Sequence, residues 1–458
     1  MYARMYPKLL FELNPTLLHQ RFLSTDVGEI YQAIPWEQLV KLVPPPAHAK
    51  RGLGRTPWFD VQGGIGLMLL KHYLQLSDTK LMERMNTDWC LQYFCGIQLK
   101  PGEIIRDKNL PSAWRCYLGK YLDIAKSQKV LAAEWKKYME QTQTSSQDAT
   151  CYESRIAHPT DVKLIWQSCR EVYELSQTIL KKHHQRKSRA NHQLRKTEFL
   201  SYQKSKKKTR RAEKKLRKRL MKYLLRLLQH HHELCTKHKI ILSHRKSERL
   251  LIIGKVYEQQ QKKLSGEQIE NRIVSISKAY IRPIIRGKEV KSIEFGAKVN
   301  KLQVDGINFI EHLSYDAFNE GTHLQTGIRL HQELFGKCKQ FSGDAIYATN
   351  KNRIYLRKKG IAHNFVPKGR QKAAHVEQSS QMRALLNKER GTKLEGSFGN
   401  EKNHYLLNKV KARNQSTETC WIFFGIHTAN AVNIGKRITD KKDIQSNSPP
   451  QRSLHLAA

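Results

Sequence analysis

An Asp305-Gly306 step between two alternating segments constrains the fold of this chain more than any other feature of its sequence. The segments FGAKVNKLQV before it and INFIEHLS after it alternate apolar with polar residues over much of their length, as strands with one buried face do. Asp-Gly readily adopts the positive φ angles of a tight two-residue turn. The sequence therefore predicts an antiparallel β-hairpin in which Asp305 is a turn residue.

Further strands and helices alternate along the chain around this hairpin. Before it, the segments RIVSI and IRPII are rich in β-branched residues. After it, helical patterns at residues 323–336 and 350–360 are interleaved with the strand-like segments CKQFSGDAIYA and IAHNFVPKG. This alternation predicts an α/β domain between residues 148 and 435.

The segments outside this domain are predicted to be helical or disordered. Residues 1–56 form a helical arm and a linker rich in Pro, Gly and positive charge, and residues 57–142 form an all-α domain. In that domain two helices flank a short turn with Ser77 and Asp78 as candidate caps, which fits either a helix-turn-helix or an ordinary α-hairpin. Residues 436–458, which include SNSPPQRS, are predicted to be disordered.

The charge balance indicates the class of partner. Lys and Arg number 82 against 40 Asp and Glu, which gives a formal net charge of +42. An excess of this size is typical of proteins that bind nucleic acid. Apolar runs such as IGLMLL are far shorter than the ~20 residues that span a bilayer, and we find no signal peptide or lipidation signal. Eight cysteines without a C-x-x-C pair favour neither a disulfide framework nor a zinc ribbon. We therefore expect an intracellular protein with no membrane partner.

A very basic helical block at residues 165–265 interrupts the predicted α/β domain. Its densest run lies between Lys204 and Arg219, and the apolar residues that follow keep the 3 and 4 spacing of a helix with one packed face. We predict that phosphate groups contact Lys206, Lys207, Lys208, Arg210 and Arg211. A solvated coiled-coil arm is the alternative. The neighbouring His230, His231 and His232 point in different directions on a helix, which argues against a metal site there.

The segment KLEGSFGNEKNHYLLNKVKAR is predicted to be one helix from Lys393 to Arg413. Glu395, Lys402 and Lys409 follow one another at steps of seven, so they would lie along one stripe of that helix, beside an apolar stripe. Charge rows of this kind are most often solvated faces.

Three acids are spaced as metal ligands for phosphoryl transfer would be. This chemistry uses two Mg²⁺ ions held by carboxylates that are distant in sequence but converge in the fold. Asp148 begins a predicted strand, Asp344 follows Gly343 at the end of another, and Glu395 lies on the last helix. Each also has a plain structural interpretation as a strand or turn residue. Asp161 competes as a carboxylate, but HPTD fits a helix cap better.

Three ordered motifs carry a resemblance to a known family. DATCYESRIAHPTD, GDAIYATNKNR and KLEGSFGNEKNHYLLNKVKAR resemble the three catalytic blocks of bacterial insertion-sequence transposases of the DDE type. The residues that match the family's motifs are Asp148, Thr150, Pro159, Asp161, Asp344, Tyr347, Asn352, Glu395, Gly396, Phe398, Gly399 and Lys402. Residues 57–119 also resemble the family's N-terminal helical domain. One departure concerns Arg390, because the family often has Arg four residues before the Glu, where this chain has Gly391.

The resemblance implies a fold and a site. The fold would be an RNase H-like α/β domain with Asp148 on its first strand and Asp344 after its fourth, with the basic block as an insertion. Asp148, Asp344 and Glu395 would be catalytic and would bind two Mg²⁺ ions, with Mn²⁺ as an alternative. Lys402, Lys409 and Arg390 would contact DNA.

The expected function is that of a transposase. Such an enzyme binds double-stranded DNA at the terminal inverted repeats of its element, cleaves it, and joins the 3′-OH ends to target DNA. We expect a homo-oligomer on DNA, in the bacterial cytoplasm and associated with the nucleoid. An RNase H-like nuclease without strand transfer, and a non-catalytic basic DNA-binding protein, are the alternatives.

Overall fold

The computed structural model describes residues 15–46, 57–186, 191–285, 293–369 and 373–447. The chain forms two compact units. The first unit comprises residues 1–153, 298–314 and 318–458, and the second comprises residues 154–297 with 315–317. Most of the linker predicted between residues 44 and 57 lies outside the described residues, as does the chain before Pro15.

The N-terminal part of the first unit is helical, in agreement with the sequence pattern. Its helices are α1 (Pro15–Leu23), α2 (Asp26–Gln32), α3 (Trp36–Lys41), α4 (Val61–Tyr73), α5 (Asp78–Met85), α6 (Trp89–Phe94), α7 (Leu110–Tyr121) and α8 (Ile124–Trp135). Ser77 is the N-cap of α5, and its hydroxyl accepts a hydrogen bond from the Lys80 backbone N–H at 3.2 Å. Of the two candidate caps, the structure therefore selects Ser77, and Asp78 is the first helical residue.

A seven-stranded sheet follows these helices in the chain. Its strands are β1 (Thr144–Ser154), β2 (Pro283–Ile285), β3 (Ile293–Val304), β4 (Ile307–Ser314), β5 (Gln340–Gly343), β6 (Ala362–His363) and β7 (Lys409–Val410). The order is β2-β3-β1-β5-β6, with β4 paired to β3 and β7 paired to β1. β3 and β4 are antiparallel, whereas β5 is parallel to both β1 and β6. The protein is therefore of the mixed α/β class.

The predicted hairpin is confirmed. Asp305 and Gly306 connect β3 to β4 with φ angles of 48° and 79°, as a type I′ turn requires. The Asp305 carboxylate also accepts a hydrogen bond from Arg437 Nη1 at 2.8 Å. The turn residue thus joins the hairpin to the C-terminal helix described below.

Other predicted strands are shorter than their sequence patterns or absent. The segment RIVSI forms no strand, because Ile273 and Ile276 are instead buried in a core made mainly of helices. The strand predicted in CKQFSGDAIYA ends at Gly343, where a 3₁₀ turn (Ala345–Tyr347) begins. In IAHNFVPKG only Ala362 and His363 pair as a strand.

The described residues of the second unit form four helices. They are α9 (Asp161–Lys182), α10 (His192–Lys204), α11 (Arg210–Lys237) and α12 (His244–Ser265). Their apolar faces meet in one core, with α9 and α11 in the most extensive contact. The predicted cap Asp161 is corrected, because Thr160 caps α9 and Asp161 instead pairs with Lys263 at 2.5 Å and Arg272 at 2.9 Å.

The C-terminal part of the first unit surrounds the sheet with helices. They are α13 (Leu324–Phe335), α14 (Asn350–Lys358), α15 (Ala373–Glu389), α16 (Gly396–His404) and α17 (Gln415–Asn447). A π-helical turn (Arg390–Glu395) joins α15 to α16. α17 packs against α2, α4 and α7. It continues to Asn447, so the disordered tail predicted from residue 436 is wrong up to that residue, and residues 448–458 lie outside the described residues.

The helix predicted from Lys393 to Arg413 is also wrong beyond His404. Tyr405 ends α16, and Leu406 has a φ of 58°, in the left-handed region that interrupts a helix. Lys409 consequently lies on strand β7 and not on a helix. The three charged residues spaced by seven therefore do not share one helical stripe. In the part of the chain that the structure describes, no helix is both long enough and apolar enough to cross a membrane.

Candidate catalytic site

Strand β1 carries the first candidate acid at the centre of the sheet. Because side chains alternate along a strand, Asp148, Thr150 and Tyr152 point to the same face. Thr150 and Tyr152 are buried, whereas the Asp148 side chain keeps 15% of its surface exposed. Asp148 is therefore accessible to solvent, whereas the next two side chains on this face are buried.

The second acid follows the neighbouring parallel strand at the same level. β1 and β5 are in register with Gln147 opposite Gly343, so Asp148 and Asp344 are the next residues on each strand. Neighbouring strands lie about 4.8 Å apart. The structure thus brings these two predicted acids together.

The end of β5 is tightly fixed. A Cβ atom on Gly343 would lie 2.8 Å from the Phe341 ring, so a side chain there would force the ring to shift. The Asn364 side chain accepts from the Gly343 N–H at 3.1 Å and donates to the Gly343 carbonyl at 2.9 Å. Asn364 was not identified from the sequence, since an Asn after a short strand carries no distinctive signal. These contacts hold the backbone from which exposed Asp344 projects.

Arg390 links the first acid to the third. Its Nη1 donates to Asp148 Oδ2 at 3.2 Å, and its Nη2 lies 3.0 Å from Glu395 Oε1. Glu395 is half exposed, whereas Arg390 keeps only 20% of its side-chain surface exposed. The guanidinium group therefore lies between the two carboxylates and offsets part of their charge.

The π-helical turn explains the one-residue offset of Arg390. In a π-helix the backbone hydrogen bonds join residues five apart, whereas in an α-helix they join residues four apart. Arg390 and Glu395 are the first and last residues of this turn. The wider turn brings residues five apart onto one face, so the extra residue does not separate Arg390 from Glu395.

The surroundings of Asp148 disfavour its ionised form. Burial and the nearby Glu320 carboxylate raise its pKa to about 6, and Asp344 adds to the increase, while the Ala149 N–H and Arg390 oppose it. Glu320 was missed by the sequence analysis, because it lies in a 3₁₀ turn (Glu320–His323) outside any recognised motif. It pairs with Lys298 at 2.7 Å.

We expect Asp148→Asn to stabilise the protein at neutral pH. The folded-state pKa of about 6 lies above the ordinary value of 3.8, so the stability that protonated Asp148 contributes is lost as pH rises from about 4 to 6. Asn removes this penalty, which gives a gain of up to about 3 kcal/mol above pH 6 and little gain at pH 4. Denaturation midpoints of both proteins across this pH range measure the effect. If the stability difference between variant and wild type were no larger at pH 7 than at pH 4, the raised pKa of Asp148 would be contradicted.

Lys402 and Lys409 both contact β1 beyond Asp148. Lys402 Nζ donates to the Thr150 hydroxyl at 2.9 Å, and Lys409 Nζ donates to Glu153 Oε2 at 3.0 Å. Both predicted lysines thus lie along the strand that carries the first acid, although they reach it from different elements.

A buried ion pair lies behind the site. Lys301 on β3 and Glu401 on α16 have fully buried side chains 2.8 Å apart. The Tyr152 hydroxyl also donates to Glu401, as does Asn308 Nδ2 at 3.1 Å. This pair was not predicted from the sequence, although a Lys near the centre of a strand with one buried face was a signal. The pair fixes α16, and with it Lys402, against β1 and β3.

The five predicted phosphate contacts of the basic block are all exposed in the second unit. The predicted helical block is interrupted here, because α10 ends at Lys204 and α11 begins at Arg210. Lys206, Lys207 and Lys208 therefore lie in the connecting loop, and Arg210 and Arg211 are in the first turn of α11. Of the three nearby histidines, His231 is buried and its Nδ1 lies 3.1 Å from the Ser176 hydroxyl.

The acids suit Mg²⁺ in their chemistry. In the described part of the chain, no three His, Cys, Asp or Glu side chains are grouped as ligands of one ion, and Arg390 lies between Asp148 and Glu395. Carboxylate oxygens are nevertheless the hard ligands that Mg²⁺ prefers. Burial is the main cause of the raised pKa of Asp148, and the nearby Glu320 and Asp344 carboxylates add a repulsion that a bound cation would relieve.

Comparison with known proteins gives one match. Residues 19–115 match the model of a family described as a transposase domain, DUF772. This stretch includes α2 to α6 and part of α1 and α7. No curated protein and no solved structure matches the chain. The match supports a transposase, that is, an enzyme that recombines DNA.

Proposed function

We propose that this protein is a DDE transposase that cleaves DNA at the ends of its element and joins the 3′-OH ends to target DNA. One observation carries the proposal. Asp148 and Asp344 follow paired residues on adjacent parallel strands, and Glu395 is linked to Asp148 through Arg390. This arrangement occurs in a chain whose N-terminal part matches a transposase domain.

The strand order supports an RNase H-like catalytic domain within this proposal. Without the three-residue β2, the order is β4-β3-β1-β5-β6, and β5 is the fourth strand of the sheet in chain order. Asp148 then lies on the first strand and Asp344 directly after the fourth, as the family resemblance implies. The helices of the second unit would form the basic insertion, at about residues 165–265, between the first strand and the hairpin.

Asp148, Asp344 and Glu395 would hold Mg²⁺, or Mn²⁺ in its place. When bound, one or two such ions stabilise the charge that develops on the attacking and leaving oxygens of a phosphodiester. Arg390 lies between Asp148 and Glu395 and pairs with both carboxylates. Lys402, held by Thr150, places a positive charge two residues along β1 from Asp148. These cations would position a DNA phosphate beside the acids.

The proposal predicts cleaved and joined products from DNA that flanks the protein's own gene. Incubation of the full chain with this DNA, a labelled target plasmid and Mg²⁺ tests it. Joined products support a transposase. Cut but unjoined DNA supports the nuclease alternative, and binding without metal-dependent cutting supports a non-catalytic DNA-binding protein. Because an element has two ends, we also propose that two or more copies assemble on DNA. Function on bacterial DNA would place the protein at the nucleoid in the cytoplasm.

The exposed basic residues of the second unit are proposed to hold DNA without sequence preference. Replacing Lys206, Lys207, Lys208, Arg210 and Arg211 with Ala should weaken binding similarly for all DNA sequences. The slope of log K against log salt should flatten by about 0.9 for each phosphate that the variant no longer neutralises. Binding isotherms on two unrelated duplexes at several salt concentrations measure this slope.

A matched control uses exposed lysines of the first unit. Lys337→Ala with Lys359→Ala changes net charge in the same direction without touching the block. The slope of this control should stay close to wild type. If the block variant keeps the wild-type slope, these residues do not contact DNA, and the solvated helical arm is the better interpretation.

A further inference from the structure

A basic pocket lies in the first unit next to Lys402 and Lys409. Its volume is about 480 Å³, and it is lined by the turn between α4 and α5 and by the chain from Lys402 to Lys411. The turn belongs to the region that matches the transposase domain, whereas the second segment follows the third candidate acid. We call this cavity the Lys411 pocket. The pocket thus brings together two regions that are far apart in sequence.

The charges in the Lys411 pocket are unbalanced. Five of its lining side chains are basic, and among the described residues that line it Asp78 is the acid. The lining bases are Lys71, Arg115, Lys402, Lys409 and Lys411. Asp78 is already engaged by two of them, at 2.5 Å from Lys71 Nζ and 2.8 Å from Arg115 Nη2. Lys409 pairs with Glu153, which lies outside the lining, at 3.0 Å. The five cations therefore exceed the two carboxylates that engage them.

The inner bases are fixed, and Lys411 extends toward solvent. Lys71 and Arg115 are buried and lie over the Trp421 ring, 5.1 Å and 4.8 Å from its centroid. Burial lowers the pKa of Lys71, and the nearby Arg115 and Lys411 charges lower it further, against the effect of Asp78. Lys411 is exposed at the pocket's surface. An anion that contacts Lys411 would relieve this repulsion between like charges.

From these contacts we infer that the Lys411 pocket binds backbone phosphates of the DNA strand that leads away from the candidate acids. Lys409 reaches the pocket from β7 and contacts Glu153, five residues beyond Asp148 on β1. Glu153 therefore lies about 16 Å along β1 from Asp148, at about 3.3 Å per residue. If the DNA strand follows β1 over this length, the bound phosphates lie about five nucleotides from the cut, at 3.4 Å each. The position of these phosphates relative to the cut rests on the proposed function. Contact with DNA through Lys411 does not.

The region that matches the transposase domain would then help to hold the strand being processed. Because Lys71 and Arg115 come from α4 and α7, this region would help to form the phosphate site through its charge. Lys411 would supply the direct contact. An open basic pocket of this size also suits a free phosphate ion, so the experiment includes both sources of the anion.

The first experiment compares Lys411→Ala with Lys337→Ala. Lys337 is exposed and precedes β5, at the end of that strand opposite to Asp344. Binding is measured to DNA from the flank of the protein's gene. Lys411→Ala should flatten the slope of log K against log salt by about 0.9, so that the loss of affinity between 50 and 200 mM salt is about threefold smaller than in wild type. Lys337→Ala should leave the slope unchanged. Equal slopes for both variants and wild type would overturn the inference.

The second experiment locates the contact. Neutral methylphosphonate linkages are placed singly at positions about two to eight nucleotides from the cleaved bond. Those about five nucleotides away should weaken wild-type binding but should not weaken binding by Lys411→Ala any further, since both changes remove the same interaction. Additive effects at every position would refute the inference. The inference would also fail if inorganic phosphate competed with DNA equally well in wild type and in Lys411→Ala. Equal competition would mean that Lys411 forms no specific phosphate site.

The two experiments separate this inference from the proposed function. If the wild type cleaves and joins DNA but Lys411→Ala binds with the wild-type slope, the transposase proposal stands and the pocket inference fails. If the wild type never cleaves but Lys411→Ala flattens the slope, the pocket binds DNA and the catalytic proposal fails. In that second case, linkages are numbered from the end of the DNA probe.

Discussion

Asp148→Asn, Asp344→Asn and Glu395→Gln are each expected to lower DNA cleavage by about 10³-fold or more while leaving DNA binding largely intact. Losing one carboxylate that holds Mg²⁺ removes several kcal/mol of stabilisation from the transition state. Binding depends mainly on the many basic residues of the chain, so it should change little. Cleavage rates on end DNA with Mg²⁺, measured beside binding isotherms for the same DNA, test the expectation.

A matched control and a stability measurement make this result specific. Glu333→Gln changes a half-exposed acid that pairs with Lys129 away from the site, and its cleavage rate should equal that of wild type. Asp148→Asn should in addition be at least as stable as wild type at pH 7, so reduced activity could not be attributed to unfolding. Full cleavage by any one of the three acid variants would exclude that residue as a ligand.

Glu401→Ala is expected to cost about 3–5 kcal/mol of folding stability at pH 7. The reason is that Lys301 and Glu401 are both fully buried, and removing one partner leaves the other charge without compensation. The Tyr152 hydroxyl and Asn308 Nδ2 would lose an acceptor as well. Thermal and urea denaturation followed by circular dichroism measures the destabilisation. Because the chain has two compact units, the transition of the first unit must be resolved from that of the second.

The double variant Lys301→Met with Glu401→Leu is the control for this second prediction. Replacing both charges by apolar side chains of similar size removes the desolvation cost together with the pair. Its stability should therefore lie much closer to wild type than that of Glu401→Ala. If Glu401→Ala alone is destabilised by less than about 1 kcal/mol, the pair does not hold α16 in place, and the position of Lys402 has another cause.

Local sequence signals predicted those parts of the fold that depend on short stretches of chain. The Asp305-Gly306 hairpin followed from the turn preference of two residues and from alternation on either side. Ser77 was identified as a candidate cap by the same kind of local pattern. The helix end at His404 was not predicted, because the seven-residue spacing of charged residues continues past it to Lys409. The chain leaves the helix at Leu406, which has a positive φ, and then pairs as β7 with β1, a strand far away in the sequence.

The candidate acids show the same division. Their order and motifs singled out Asp148, Asp344 and Glu395, but nothing in the sequence shows that Gln147 pairs with Gly343. The contribution of Glu320 to the pKa of Asp148 was likewise invisible, since it arises from a turn far along the chain. Proximity of charges is a property of the folded chain.

By itself the sequence determined three features of this protein: its strong positive charge, its α/β pattern around a hairpin, and the order of its three candidate acids. Those features are local or additive, so they can be read one segment at a time. The tertiary structure alone decided that Arg390 bridges Asp148 and Glu395 across a π-helical turn, and that Lys301 is buried against Glu401. These interactions join residues up to 242 positions apart, and their energies depend on burial that only packing creates.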